Sequence, residues 1–85
     1  MTEHHRKEAR IRRVLIDHGR LNTDADSVPV DTNLYQAGMS SHASVNVMLA
    51  LEGDFGLEFP DHMLTRSVFG SIASIRVALD SLATA

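Results

Sequence analysis

Two adjacent serines, Ser40 and Ser41, stand in the segment QAGMSSHASVNVMLALEGDF at residues 36–55, and His42 follows them directly. Serine beside histidine raises nucleophilic catalysis first. A serine hydroxyl is a weak nucleophile unless a base lies within hydrogen-bond reach. On a helix, side chains at i and i+1 do not face each other, so His42 is poorly placed to activate Ser41. No G-x-S-x-G elbow occurs. Metal chemistry fares no better. The chain has five histidines and no cysteine. None of the histidines has the H-x-x-x-H or H-E-x-x-H spacing that puts two ligands on one helix face. No catalytic residue and no metal ligand is assigned.

The other chemistry open to this pair belongs to a helix start. A serine there accepts a hydrogen bond from a first-turn N–H, worth about 1 kcal/mol. One serine suffices. If Ser40 is the cap, Ser41 is the first helical residue, exposed at the positive end of the helix dipole. That position favours a phosphate. Two readings follow from the residues alone. In one, Ser41 merely neighbours a cap. In the other, it is a site for a phosphodiester.

The elements that hold this pair are helical. Residues 3–19 carry Ile11, Val14, Leu15 and His18 at i, i+3, i+4 and i+7, one face of a 3.6-residue period. Thr2 can cap this helix and Gly19 can end it. Residues 20–40 scatter Asn, Asp, Ser, Pro and Gly and read as a long loop. A loop this long in a small domain is often functional. Val28, Val30, Leu34 and Tyr35 are expected to pin it, with a turn of helix after Asp31. Residues 41–54 form the second helix. Val45, Met48, Leu49 and Glu52 follow helical spacing, with Val47, Leu51 and Phe55 widening the apolar face. Gly56 suits its C-terminal end. Asp61 can cap a short helix at about residues 62–66. Ser71 can cap the last helix, which carries Ile72, Ile75, Leu79 and Leu82. No segment alternates at period two. The fold class is all-α, a bundle of three long helices and one short one, with the long loop between helices one and two.

Composition narrows the rest. The 85 residues are enough for one domain, 1–85. Without cysteine there is no disulfide framework, and any thioester chemistry needs a sulfur from outside. No apolar run approaches the roughly 18–20 residues of a membrane span, and no signal peptide is visible. A cytoplasmic protein with no membrane partner is expected. Residues 1–20 hold six Lys/Arg against three acids, and residues 21–85 hold only Arg66 and Arg76 against eight acids. A basic first helix could serve DNA. No aromatic is interleaved with the basics to stack bases, so a solvated helix face is favoured and no nucleic-acid partner is assigned.

The run G-M-S-S-H-A-S-V-N-V-M-L-A-L-E-G-D-F-G-L-E-F-P-D at residues 38–61 carries a family resemblance. It resembles the phosphopantetheine-binding carrier proteins, meaning acyl carrier proteins and their peptidyl and aminoacyl relatives. Gly38, Met39, Ser41, Val45, Val47, Leu51, Glu52, Phe55 and Phe59 fall at the family's offsets. Leu34, and Ser71, Ile72 and Ile75 of the last helix, extend the similarity over most of the chain. The resemblance implies a four-helix carrier bundle, monomeric and non-catalytic. In it Ser41 receives 4′-phosphopantetheine from coenzyme A through a phosphopantetheinyl transferase. The arm's thiol holds acyl or aminoacyl cargo as a thioester. A cargo-loading ligase or acyltransferase and a downstream acyl- or aminoacyl-accepting enzyme are the further partners, read by Met39, Ser40, His42, Val45 and Asn46. Met39 and Val45 also suit the core. Ser40 stands where the family usually has Asp, and His42 where it usually has Leu. Asn46 replaces the usual Glu, and Glu52 is the only acid in residues 41–53. A specialised carrier is therefore expected over the housekeeping fatty-acid one, leaning towards amino-acid cargo. The alternative is a helical protein-interaction module without a prosthetic group.

Overall fold

Ile11 and Val14 are buried in α1, Glu3–Val14, which runs on as a π turn over Leu15–Gly19 with Leu15 also buried. This computed structural model describes residues 3–83, with side chains from 6 to 82. Thr2, expected as the cap of α1, lies outside the described residues. His18 was expected on the buried face and is exposed. A π turn holds more residues than an α turn, so the phase slips and Gly19 meets the core in place of His18. A Cβ on Gly19 would lie 3.1 Å from Leu15 Cδ2. The residue that reverses the chain is Arg20, in the left-handed region at φ 54°.

The loop at 20–40 is fastened at many points. Arg12 Nη1 donates to the carbonyls of Ala25 and Val28, at 2.7 Å each. Asn22 N–H donates to Ala37 O at 2.7 Å, Leu34 N–H to Gly70 O at 2.7 Å and Ala73 N–H to Val30 O at 3.0 Å. Val28 and Leu34 are buried, while Val30 and Tyr35 are half-buried. The turn at 34–38 is capped by Asn33 and not by Asp31. Asn33 Oδ1 accepts from Tyr35 N–H at 2.9 Å and Gln36 N–H at 3.2 Å.

Helix α2 is Ser41–Phe55, and its apolar phase differs from expectation. Ala43, Val47 and Leu51, at i, i+4 and i+8, are buried. Val45 and Leu49 are 50% and 55% exposed, so neither is a core residue. The helix is apolar nearly all round, and its sequence does not fix which stripe turns inward. Gly56 ends it at φ 66°, donating to Glu52 O. Glu52 then reaches across the turn, where Oε2 accepts Phe59 N–H at 2.9 Å.

The short helix lies later than expected. Asp61–Met63 is one 3₁₀ turn with no side-chain cap, and α3 is Arg66–Phe69. Its cap is Thr65, whose Oγ1 accepts Val68 N–H at 3.2 Å. Leu64 and Thr65 break the helix because both take extended or irregular backbone. Helix α4, Ile72–Ala83, starts on Ser71, whose Oγ accepts Ser74 N–H at 3.0 Å. Ile72, Ile75 and Leu79 of α4 are buried, as expected, and Leu82 is half-buried.

Helix α1 packs on α4, its π turn packs on α2, and α3 packs on α4. Ile11, Leu15, Leu34, Val47, Leu51, Ile72, Ile75 and Leu79 fill the centre. Phe59 and Phe69 close one end, edge to face with centroids 5.2 Å apart. Each such side chain contributes roughly 1.5–3 kcal/mol by leaving water. The described residues are all-α, without a strand. No described helix is long and apolar enough to cross a membrane.

The basic first helix is used within the molecule. Lys7 pairs with Asp80, and Arg10 Nε pairs with Asp54 at 2.9 Å. With Arg12 on the loop carbonyls, half of the six N-terminal cations serve packing.

Candidate functional site

Ser40 is the cap. Its Oγ accepts Ala43 N–H at 3.0 Å, with extended backbone at φ −78°, ψ 166°. Ser41 is the first helical residue and exposed, its hydroxyl left over from capping. Gly38 sets the approach of the chain. It adopts φ +116°, and a Cβ there would lie 2.8–2.9 Å from Asn22 side-chain and backbone atoms. Only glycine meets both demands. Met39 follows at 2% exposure, anchored by its N–H on Leu34 O at 3.0 Å. It was a candidate for partner recognition, and the structure places it in the core. The glycine turn and the buried methionine thus deliver the two serines to the surface.

A groove of about 200 Å³ opens beside Ser41. Its walls are Val45 and Met48 of α2, Leu64 and Phe69 around α3, and Tyr35 from the loop. Ser41 and Val45 are one helical turn apart and share it. Ser40, His42 and Asn46 do not line it. His42 and Asn46 lie four residues apart, on a neighbouring face of α2.

Arg66 was not singled out from the sequence. Its guanidinium lies over the Tyr35 ring, with Cζ 3.9 Å from the centroid. Its Nη1 donates to Ser41 Oγ across a long 3.5 Å. Among the described residues this is the only side chain recorded on Ser41 Oγ, and no base lies on it. The signal for Arg66 was its rarity, as one of two cations in residues 21–85. The other, Arg76, is bound to Glu8 at 3.3 Å and Asp80 at 3.1 Å.

The electrostatics suit an anion. First-turn amides of an α-helix lack intrahelical acceptors and carry the positive end of the dipole. Ser40 satisfies the Ala43 amide alone. The first turn of α2 contains no acid, and Arg66 adds a full positive charge. Among the described residues no cluster of three His, Asp or Glu could hold a metal. The donor set therefore fits a phosphodiester on an exposed hydroxyl, with an apolar groove alongside.

A helical bundle that offers an exposed, non-capping hydroxyl at a positive helix end, with no base upon it, has the architecture of a carrier. The comparisons agree. The family described as "Phosphopantetheine attachment site" matches residues 18–75, and the chain belongs to it. An aminoacyl carrier protein from Agrobacterium fabrum is 46% identical over 67 residues, 79% of this chain and 81% of the relative. Several solved structures are similar, and two of them show the likeness. One is the crystal structure of an engineered Bradyrhizobium japonicum glycine:[carrier protein] ligase complexed with carrier protein from Agrobacterium tumefaciens and ATP. It matches with TM-score 0.85 and 41% identity, over 88% of this chain and 97% of that chain. The other is a solution structure from Agrobacterium tumefaciens, with TM-score 0.73 and 40% identity over 91% of this chain and 93% of that one. This chain is thus a non-catalytic carrier whose prosthetic group is 4′-phosphopantetheine. The module without a prosthetic group is set aside.

Proposed function

We propose that the chain carries an aminoacyl group as a thioester on a 4′-phosphopantetheine arm attached to Ser41 Oγ. The division of labour between the serines carries this reading, since Ser40 caps the helix while Ser41 Oγ stays exposed and takes only a long bond from Arg66. In the attachment step the Ser41 Oγ–P bond forms and the pyrophosphate P–O bond of coenzyme A breaks. Adenosine 3′,5′-bisphosphate leaves, and the hydroxyl proton passes to a base of the phosphopantetheinyl transferase. When bound, the arm supplies the thiol that this cysteine-free chain lacks. The residues of this chain hold the anchor and present a docking face. Tethering raises the local concentration of cargo at a partner's active site.

Amino-acid cargo is supported by the 46% identity to an aminoacyl carrier protein and by the likeness to a carrier crystallised with a glycine ligase. Val45 and Leu49 offer an exposed apolar stripe one and two turns beyond Ser41. Glu52 is the sole acid in residues 41–53. A loading ligase would read that stripe by shape and apolar contact more than by charge, with His42 and Asn46 beside it. The downstream acceptor draws on the same face. We propose further that the protein acts in the cytoplasm as a monomer.

The test is to incubate the phosphopantetheinylated protein with a glycine:[carrier protein] ligase, ATP and labelled glycine, and in parallel with an acyl-carrier ligase and a labelled fatty acid. Label from the amino acid, released by neutral hydroxylamine as expected of a thioester, is the expected result. Label from the fatty acid alone would overturn amino-acid cargo.

A further inference from the structure

Among the described residues Arg66 is the one cation of residues 21–83 without a carboxylate partner. It is nevertheless held in place. The Tyr35 ring lies 3.9 Å beneath its Cζ, and such stacking favours Arg over Lys because the guanidinium is planar and weakly hydrated. The Tyr35 main chain is held, since its N–H donates to Asn33 Oδ1 at 2.9 Å in the capped turn, and its ring is half-buried. The guanidinium is thereby oriented, and the group it faces is Ser41 Oγ at 3.5 Å. That distance is the outer limit of a hydrogen bond and makes a weak one to a neutral hydroxyl. The arrangement gains little from the bare serine. It gains more once the hydroxyl becomes a phosphodiester, whose anionic oxygens, carried on the phosphorus, sit two bonds beyond Oγ.

We infer that Arg66, steadied by Tyr35, is a positioning residue that clamps the phosphodiester of the prosthetic arm and directs the arm's first segment into the groove of Val45, Met48, Leu64 and Phe69. This rests on attachment at Ser41. The groove begins at Ser41 and has Arg66 in its wall, so one guanidinium borders both the anchor and the apolar channel. Charge-assisted Arg–phosphate bonds are among the stronger hydrogen bonds. At this exposed site solvent screens them, so the clamp is expected to bias the arm and not to lock it. A biased arm can still swing out to a partner.

The experiment loads wild type, Arg66→Gln, Arg66→Lys and Tyr35→Leu with isotope-labelled phosphopantetheine, using coenzyme A and excess transferase. Intact mass confirms loading. Two signals are then read by NMR, namely the ³¹P shift of the phosphodiester and cross-relaxation from the arm's geminal methyls to Val45, Met48, Leu64 and Phe69. Wild type is expected to show methyl contacts that fall about threefold in Arg66→Gln, the scale of an exposed charge-assisted bond. The ³¹P shift should move in the same variant. Arg66→Lys and Tyr35→Leu should fall between, because each keeps the charge and loses the orientation. If the glutamine variant does not load, the lysine and leucine variants carry the comparison. Loaded variants with wild-type ³¹P shift and methyl contacts would overturn the clamp while leaving attachment at Ser41 intact. Wild type that gains no mass would overturn the attachment, and the clamp with it.

Discussion

At the scale of single residues, function depends on the separation of two hydroxyls that look alike in the sequence. Ser40 Oγ is consumed by the Ala43 amide. Ser41 Oγ is left to the solvent, the groove and Arg66. The two should therefore fail in different ways. Ser40→Ala is expected to lower unfolding free energy by about 1 kcal/mol in urea titration while still accepting the prosthetic group. A variant equally stable to wild type would mean that the cap contributes nothing. Ser40 and Ser41 could be read from sequence because capping is local, decided within three residues. Arg66 could not, because its contact with Ser41 spans 25 positions and depends on how α3 lies against α2. Its rarity among the later residues was the only trace.

At the scale of elements, the chain sets up the site with a glycine turn, a buried methionine and a helix whose inward stripe is Ala43, Val47 and Leu51. Gly38→Ala meets both a positive φ and contacts under 3 Å. It should cost more than about 1 kcal/mol, seen as a lower midpoint in urea. Helix α2 offers a sharper contrast. Leu51→Ala should cost about 2–5 kcal/mol, since Leu51 is fully buried. Val45→Asp should leave stability within about 0.5 kcal/mol and weaken aminoacylation by a loading ligase, as a change in apparent KM. If Val45→Asp unfolds the domain, the assigned faces of α2 are wrong. The existence of α2, its start and its Gly56 end were legible, because capping and left-handed glycine leave sequence marks. Its phase was not. Residues 45–51 hold six apolar side chains in seven, and the burial of small Ala43 decides what that run leaves open. The π turn after α1, which turns His18 outward, likewise has no local signature.

At the scale of the whole molecule, charge asymmetry and family architecture meet. The basic first helix and the acidic remainder are complementary halves of one bundle. Lys7 reaches Asp80, Arg10 reaches Asp54, and Arg76 bridges Glu8 and Asp80. The Lys7–Asp80–Arg76–Glu8 group is half-buried, so Asp80→Asn should destabilise the bundle by about 1–2 kcal/mol in thermal or urea melts. No loss would mean that this network is not what joins α1 to α4. The fold class was legible because helical periodicity and the carrier-like run agreed throughout. The placement of α3 was not, since Pro60 and Asp61 announce a helix that the chain delays until Thr65. Cargo carriage turns on one atom, Ser41 Oγ. Its most direct test is the intact mass of wild type and Ser41→Ala after incubation with coenzyme A and a promiscuous phosphopantetheinyl transferase. Wild type should gain the mass of one phosphopantetheine, and the variant should gain none. An equal gain in the Ser41→Ala variant would mean that the prosthetic group is attached elsewhere than Ser41.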